Sequence, residues 1–155
     1  MIMTKINKKL NKIRNQVHPQ CIACSLTNRN GLHLKFDVVD DRSVKADFQY
    51  NKVFEGYPGI LHGGVISSIL DSAMCNCIFA HGKAAVTTEM SIKFRHPVAT
   101  CRQATVSARI VRFSHSLYSL EAEIIQDGEV KVTTKAKFYD QPDLVDIADK
   151  PLCIT

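Results

Sequence analysis

Phe54-Glu-Gly-Tyr-Pro-Gly-Ile-Leu-His62-Gly63-Gly64-Val-Ile-Ser-Ser-Ile-Leu-Asp71-Ser-Ala-Met74 is the stretch around which the rest of the chain must be arranged. Its first part, Phe54 to Leu61, holds two glycines and a proline, and such a loop turns sharply. From His62 to about Ala80 the pattern becomes helical, with Val65, Ile69 and Ala73 on one line and Ile66, Leu70, Met74 and Cys77 beside it. A helix that is apolar over so much of its surface has to be enclosed by other elements.

The flanks supply the enclosure. Upstream, Leu32/Leu34/Phe36/Val38 and Val44/Ala46/Phe48/Tyr50 alternate, which predicts two strands in a hairpin joined at Asp40-Asp41. Downstream of His81-Gly82 come four more alternations: Val86 to Phe94, stopped by Pro97; Ala104 to Ile110; Tyr118 to Ile124; and Val130 to Phe138. The last is entered through Asp127-Gly128, a hairpin turn signal. Residues 3–17 carry Ile6, Leu10, Ile13 and Val17 at helical spacing and predict an amphipathic helix lying on something larger. The tail after Gln141-Pro142 reads as a loosely packed extension. Runs of strands around one helix specify an α+β fold with a mostly antiparallel sheet wrapped round the long central helix.

A length of 155 residues fits one domain, and 45% apolar with 23% charged residues is an ordinary globular composition. No apolar run approaches the roughly 20 residues that cross a bilayer, and Met1 to Leu10 lacks the continuous apolar core of a signal peptide. The expectation is a cytoplasmic protein. The net charge of +5 favours anionic ligands without choosing among them. Six cysteines in a chain this long do not make a disulfide scaffold, and Cys75 and Cys77 fall inside the apolar helix as small hydrophobes.

Chemistry concentrates at the start of the central helix. Its first N–H groups have no partner within the helix, and glycines there let a bound group approach the backbone closely. Gly64 and Asp71 are close to two turns apart and share one face, separated by about 10 Å along the axis. Acyl transfer needs these two components: donors that polarise a carbonyl, and a carboxylate that attacks it or deprotonates water. Spacing alone leaves a plainer alternative open. Ser67, Ser68, Asp71, Ser72 and Cys75 form a less apolar stripe on which Asp71 is merely solvated, and Gly-Gly is merely a turn.

The Phe54–Met74 stretch resembles the signature of hot-dog thioesterases of the phenylacetate-degradation and 4-hydroxybenzoyl-CoA type. In that family His-Gly-Gly opens the central helix and a catalytic Asp or Glu follows nine residues after the His, the place of Asp71. Thr87-Thr-Glu-Met-Ser-Ile-Lys-Phe-Arg-His-Pro97 resembles the family's next strand, in which a Thr or Ser precedes an acidic residue by two, as Thr87 precedes Glu89. The order of elements from about Gly31 to Asp140 matches as well.

The resemblance implies a hot-dog domain over residues 31–140, with an N-terminal helix and loop at 1–30 and a tail at 141–155. It implies hydrolysis of an acyl-CoA thioester to acid and coenzyme A, with no cofactor and no nucleic-acid or membrane partner, in a homo-oligomer (a dimer or a dimer of dimers) whose sites lie between protomers. The Gly63 and Gly64 amides would bind the thioester oxygen, and Asp71 would act as general base or nucleophile. Thr87 from the facing protomer would position the water or the carboxylate, and His62 would shape the turn. One departure stands out: Gly56 occupies the place, six residues before the His, where many members carry Asn or Gln. Glu55 is the adjacent candidate to replace it.

Val65, Ile69, Met90 and Phe94 are the expected acyl-tunnel lining. Arg95 is the preferred contact for coenzyme A phosphates, ahead of Lys93, Arg102, Arg109 and Arg112. Two rival functions share the fold: an acyl-CoA-binding protein without catalysis, and an acyl-thioester dehydratase, whose motif spacing differs. His18-x-x-Cys21-x-x-Cys24 offers three metal-type donors where structural zinc takes four, with Cys101, Cys153 or His33 available only through the fold. No metal is expected.

Overall fold

In the computed structural model, residues 1–147 are described. The chain runs α1 (Ile2–Val17), β1 (Asp37–Val38), β2 (Ser43–Phe48), a 3-10 turn (Lys52–Phe54), α2 (Gly63–Ala80), β3 (Ala85–Phe94), β4 (Ala104–Ser114), β5 (Leu117–Gln126), β6 (Glu129–Asp140) and α3 (Asp143–Ile147). The six strands form one sheet in the order β1-β2-β4-β5-β6-β3, antiparallel throughout. This is the hot-dog architecture, with α2 enclosed by the sheet.

The topology follows from the length of α2. Consecutive strands β2 and β3 lie four places apart in the sheet, so the intervening segment has to cross beneath β4, β5 and β6. An 18-residue helix is about 27 Å long, enough to pass under strands spaced about 4.8 Å apart. Ile69, Leu70, Met74, Ile78 and Phe79 of α2 are fully buried with Val106, Leu120, Ile124 and Phe138 from the sheet. By length and composition alone α2 could cross a membrane, closer to a span than the sequence suggested, but two-thirds of it is buried inside the fold. α1 lies on α2 through Leu10 and Ile13.

Two segments differ from the pattern-based expectation. Leu32, Leu34, Phe36 and Val38 are all buried, as their alternation predicts, yet only Asp37–Val38 enters the sheet. The Leu32 and Leu34 amides donate instead to the Ile22 and Ala23 carbonyls at 2.7 and 2.9 Å, so a loop takes the place of a strand as their partner. Beyond Pro142 the described part of the tail is helical and held down: Gln16 Nε2 donates to the Val145 carbonyl at 2.8 Å, and Val145 packs on the core. Cys153 lies outside the described residues.

Candidate active site

β3 emerges next to the middle of α2. Its register with β6 slips between Thr87 and Glu89, and a bulge of this kind re-aims side chains. The Thr87 hydroxyl donates to Asp71 Oδ1 at 2.5 Å. This bond lies within one chain, which corrects the expected placement of Thr87 across a protomer boundary: the bulge turns Thr87 onto its own helix. Asp71 is half-buried, and burial is the main cause that raises its carboxyl above the ordinary value of 3.8. The Thr87 hydrogen bond favours the ionised form and opposes that rise.

At the start of α2, His62 is the N-cap in an extended conformation, and its Nδ1 accepts the Gly64 N–H at 2.9 Å. The bond fixes the tautomer, leaving the proton on Nε2. It also corrects the expected donor pair, because the Gly64 amide is already occupied. Among the described residues the Gly63 and Val65 amides have no acceptor. A Cβ on Gly64 would lie 3.1 Å from His62 Nδ1 and crowd the capping ring, whereas a Cβ on Gly63 would make only ordinary contact with the Phe94 ring at 3.7 Å. Ser67 and Ser68 donate back to the carbonyls of Gly63 and Gly64 at 2.8 and 3.0 Å, the usual helical back-bond.

A hollow of about 410 Å³ opens at this helix end, lined by Gly56, His62, Gly63, Ile66, Phe94 and Arg95 among others. The His62 ring fills the place of a side chain at position 56, where a Cβ would come within 3.2 Å of its Cδ2. Glu55 does not reach the hollow as a replacement: its Oε2 accepts the Gly59 N–H at 3.0 Å and so shapes the preceding turn. Of the expected tunnel lining, Ile69 is fully buried in the core, Val65 and Met90 are half-buried, and Phe94 is exposed.

Arg95 lines the hollow and is also on the rim of a larger open depression of about 1080 Å³ on the outer face of the sheet. Its Nε donates to Thr133 Oγ1 at 3.4 Å, a long bond that leaves the guanidinium available. Arg102 and Arg109 are engaged with Asp127 and Glu121 at 2.7 and 2.8 Å. His18, Cys21 and Cys24 converge on the α1 side of α2, their donor atoms all within 4.8 Å of one another. Sequence reasoning placed Ser72 only in the less apolar stripe and passed over Asn76 of α2 beside them; the available signal was two polar residues four apart in a helix otherwise destined for the core.

Gly63 and Asp71 are eight residues apart on one helix, a rise of about 12 Å. A carbonyl group in reaction needs donors and base each about 3 Å from its atoms. Along the helix axis that rise exceeds the reach of two such contacts to a single carbonyl.

The thioesterase superfamily family model matches residues 58–133. The acyl-coenzyme A thioesterase THEM4 of Bos taurus is 30% identical over 71 residues, 46% of this chain and 29% of that protein. This chain spans less than half the length of the curated relatives it matches. Among solved structures, the phenylacetic acid degradation-related protein from Ralstonia eutropha JMP134 superposes with a TM-score of 0.63 at 23% identity, covering 70% of this chain and 85% of that one. A hypothetical thioesterase protein with coenzyme A from Streptococcus pneumoniae TIGR4 gives a TM-score of 0.66 at 15% identity over 70% and 89% of the two chains.

Proposed function

We propose that this chain, a hot-dog-fold member of the thioesterase superfamily, hydrolyses an acyl-CoA thioester to the free acid and coenzyme A as a homodimer or a dimer of dimers. The observation that carries this reading is the Thr87-held Asp71 carboxylate on the same helix that presents unpaired amides at its start. The acyl-CoA thioesterase relative and the coenzyme A in a similar fold support the choice of substrate class.

The 12 Å problem is solved by a second copy. Among the described residues β3 pairs only with β6, so its ten residues leave one edge open, and Val86 and Phe94 on it are exposed. Antiparallel pairing of β3 with its copy, centred between Met90 and Ser91, places Phe94 of one chain opposite Thr87 of the other. Phe94 borders Gly63, and Thr87 holds Asp71. The seam thus joins the amides of one α2 to the carboxylate of the other.

In that site the Gly63 N–H, with Val65, holds the thioester oxygen while Asp71 takes a proton from water. The resulting hydroxide attacks the carbonyl carbon. As the tetrahedral intermediate collapses, the C–S bond breaks and the coenzyme A thiolate recovers the proton from Asp71. A carboxylate raised by burial is suited to this base role, because its conjugate acid can return the proton. Val65, Met90 and Phe94 line the acyl path, and Arg95 holds a phosphate of coenzyme A.

The test is thiol release from a panel of acyl-CoAds of graded chain length, comparing wild type with Asp71→Ala. A loss of at least about a hundredfold is expected, the scale of a general base. Unchanged turnover removes Asp71 from the mechanism, and wild-type binding of acyl-CoA without thiol release establishes the non-catalytic alternative.

A further inference from the structure

The densest group of reactive side chains away from Asp71 lies where the loop after α1 crosses α2. His18 closes α1, its N–H donating to the Arg14 carbonyl at 2.8 Å. The next turns continue in steps of three and four: the Cys21 N–H donates to the His18 carbonyl at 3.3 Å, and the Ser25 N–H to the Cys21 carbonyl at 3.1 Å. This coiling brings residues 18, 21 and 24 to one side of the loop. Cys24 Sγ lies 3.5 Å from His18 Nδ1, and all three donor atoms fall within 4.8 Å of one another. Tetrahedral zinc with Zn–S of about 2.3 Å and Zn–N of about 2.0 Å holds its ligands roughly 3.5 to 3.8 Å apart. Only a small contraction separates the two geometries.

Spacing alone argued against a metal, because a fourth donor was missing. The fold brings two buried polar side chains of α2, Ser72 and Asn76, beside Cys24. Asn76 Nδ2 donates to the Ser72 carbonyl at 2.9 Å, which leaves Asn76 Oδ1 to point elsewhere. Among the described residues Asn76 Oδ1 and Ser72 Oγ have no hydrogen-bond partner of normal geometry, and buried polar atoms in native proteins nearly always have one. The edge of Phe79 packs on the His18 ring at 4.8 Å and fixes its orientation, while the half-exposed Cys21 leaves a path from solvent.

We propose that His18 Nδ1, Cys21 Sγ and Cys24 Sγ bind one zinc-class divalent ion whose fourth position faces Asn76 Oδ1 and Ser72 Oγ. The ion pins the α1 loop to the central helix next to the turn that carries Asp71. Two thiolates and a neutral imidazole balance a dipositive ion, and the thiol protons leave on binding. The inference stands apart from the hydrolase reading, since it needs neither the Gly63 amide nor the β3 edge.

The test is titration of the reduced, metal-free full chain with Co²⁺, followed by displacement with Zn²⁺. One ion per chain is expected, with a thiolate-to-cobalt charge-transfer band and the d–d spectrum of a tetrahedral site. Cys21→Ser with Cys24→Ser should abolish the band, and His18→Cys should retain it with greater thiolate intensity. Failure of the reduced wild type to take up Co²⁺ or Zn²⁺ stoichiometrically overturns the proposal, whether or not the variants fold. So does a charge-transfer band that survives the double serine substitution.

Discussion

β3 and β5 are both ten-residue strands with alternating apolar residues, and they meet opposite fates. Every second residue of β5 from Tyr118 to Gln126 is buried, because β5 has a strand on each side and α2 beneath it. In β3 only Ala85 is buried, and Val86 and Phe94 remain 42% and 53% exposed. A long edge strand with exposed apolar residues invites pairing with another chain, and natural proteins usually blunt such edges. The difference separates two uses of the same pattern: β5 stabilises the chain's own core, whereas β3 keeps an open apolar edge, the edge that the proposed dimer would pair.

The largest expected effect is therefore on stability, and on β5. Leu120→Ala should cost about 2–5 kcal/mol in denaturant unfolding, since Leu120 is fully buried against α2. Val86→Ala on β3 should change protomer stability by no more than about 0.5 kcal/mol. It should weaken self-association instead, measured by sedimentation over a dilution series. Equal losses of stability from both substitutions would erase the distinction between the strands.

A test of the seam itself uses two variants that are inactive for different reasons. Gly63→Pro removes one N–H at the first helical position, where proline is tolerated, and His62 before it is already extended at φ −61° and ψ 135°. The loss expected from one missing oxyanion donor is about 10²–10³-fold in kcat. Asp71→Asn removes the base. Co-refolded in equal amounts, the two should regain about one quarter of wild-type activity, because half the dimers are mixed and each mixed dimer keeps one intact site. Were both components of a site to come from one chain, mixing would restore nothing.

Much of the fold was legible because burial imprints a period on the sequence. The central helix begins one residue from where the pattern changes at His62, and four strands downstream of it lie where alternation places them. Alternation reports burial but not hydrogen-bond partners, which is why Leu32–Phe36 reads as a strand yet pairs with the Ile22–Ala23 loop. The site was legible in residue type and less so in partnership. Gly63-Gly64 announces free amides, but not that His62 Nδ1 claims one of them. Thr87 announces a hydroxyl near a carboxylate, but the bulge that turns it onto its own Asp71 depends on pairing with β6. Ser72 and Asn76 signal only that a core helix carries polar atoms; what faces them is decided by the loop after α1.

The smallest effect concerns the hydroxyl that links β3 to α2. As the proposed base, Asp71 would act in its ionised form, so activity should fall as pH drops through its carboxyl value, which burial places above the ordinary 3.8. Thr87 donates to that carboxylate and favours ionisation. Thr87→Val keeps the shape, removes the donor and should move the acid limb of kcat/KM to higher pH. At neutral pH the rate should drop by less than about tenfold, the scale of one hydrogen bond. The same substitution on β3 should leave the unfolding midpoint nearly unchanged, because Thr87 is exposed within the protomer. An acid limb that stays in place would mean that Thr87 orients Asp71 without tuning its proton affinity, and a limb that moves to lower pH would mean that the hydroxyl accepts from a protonated Asp71.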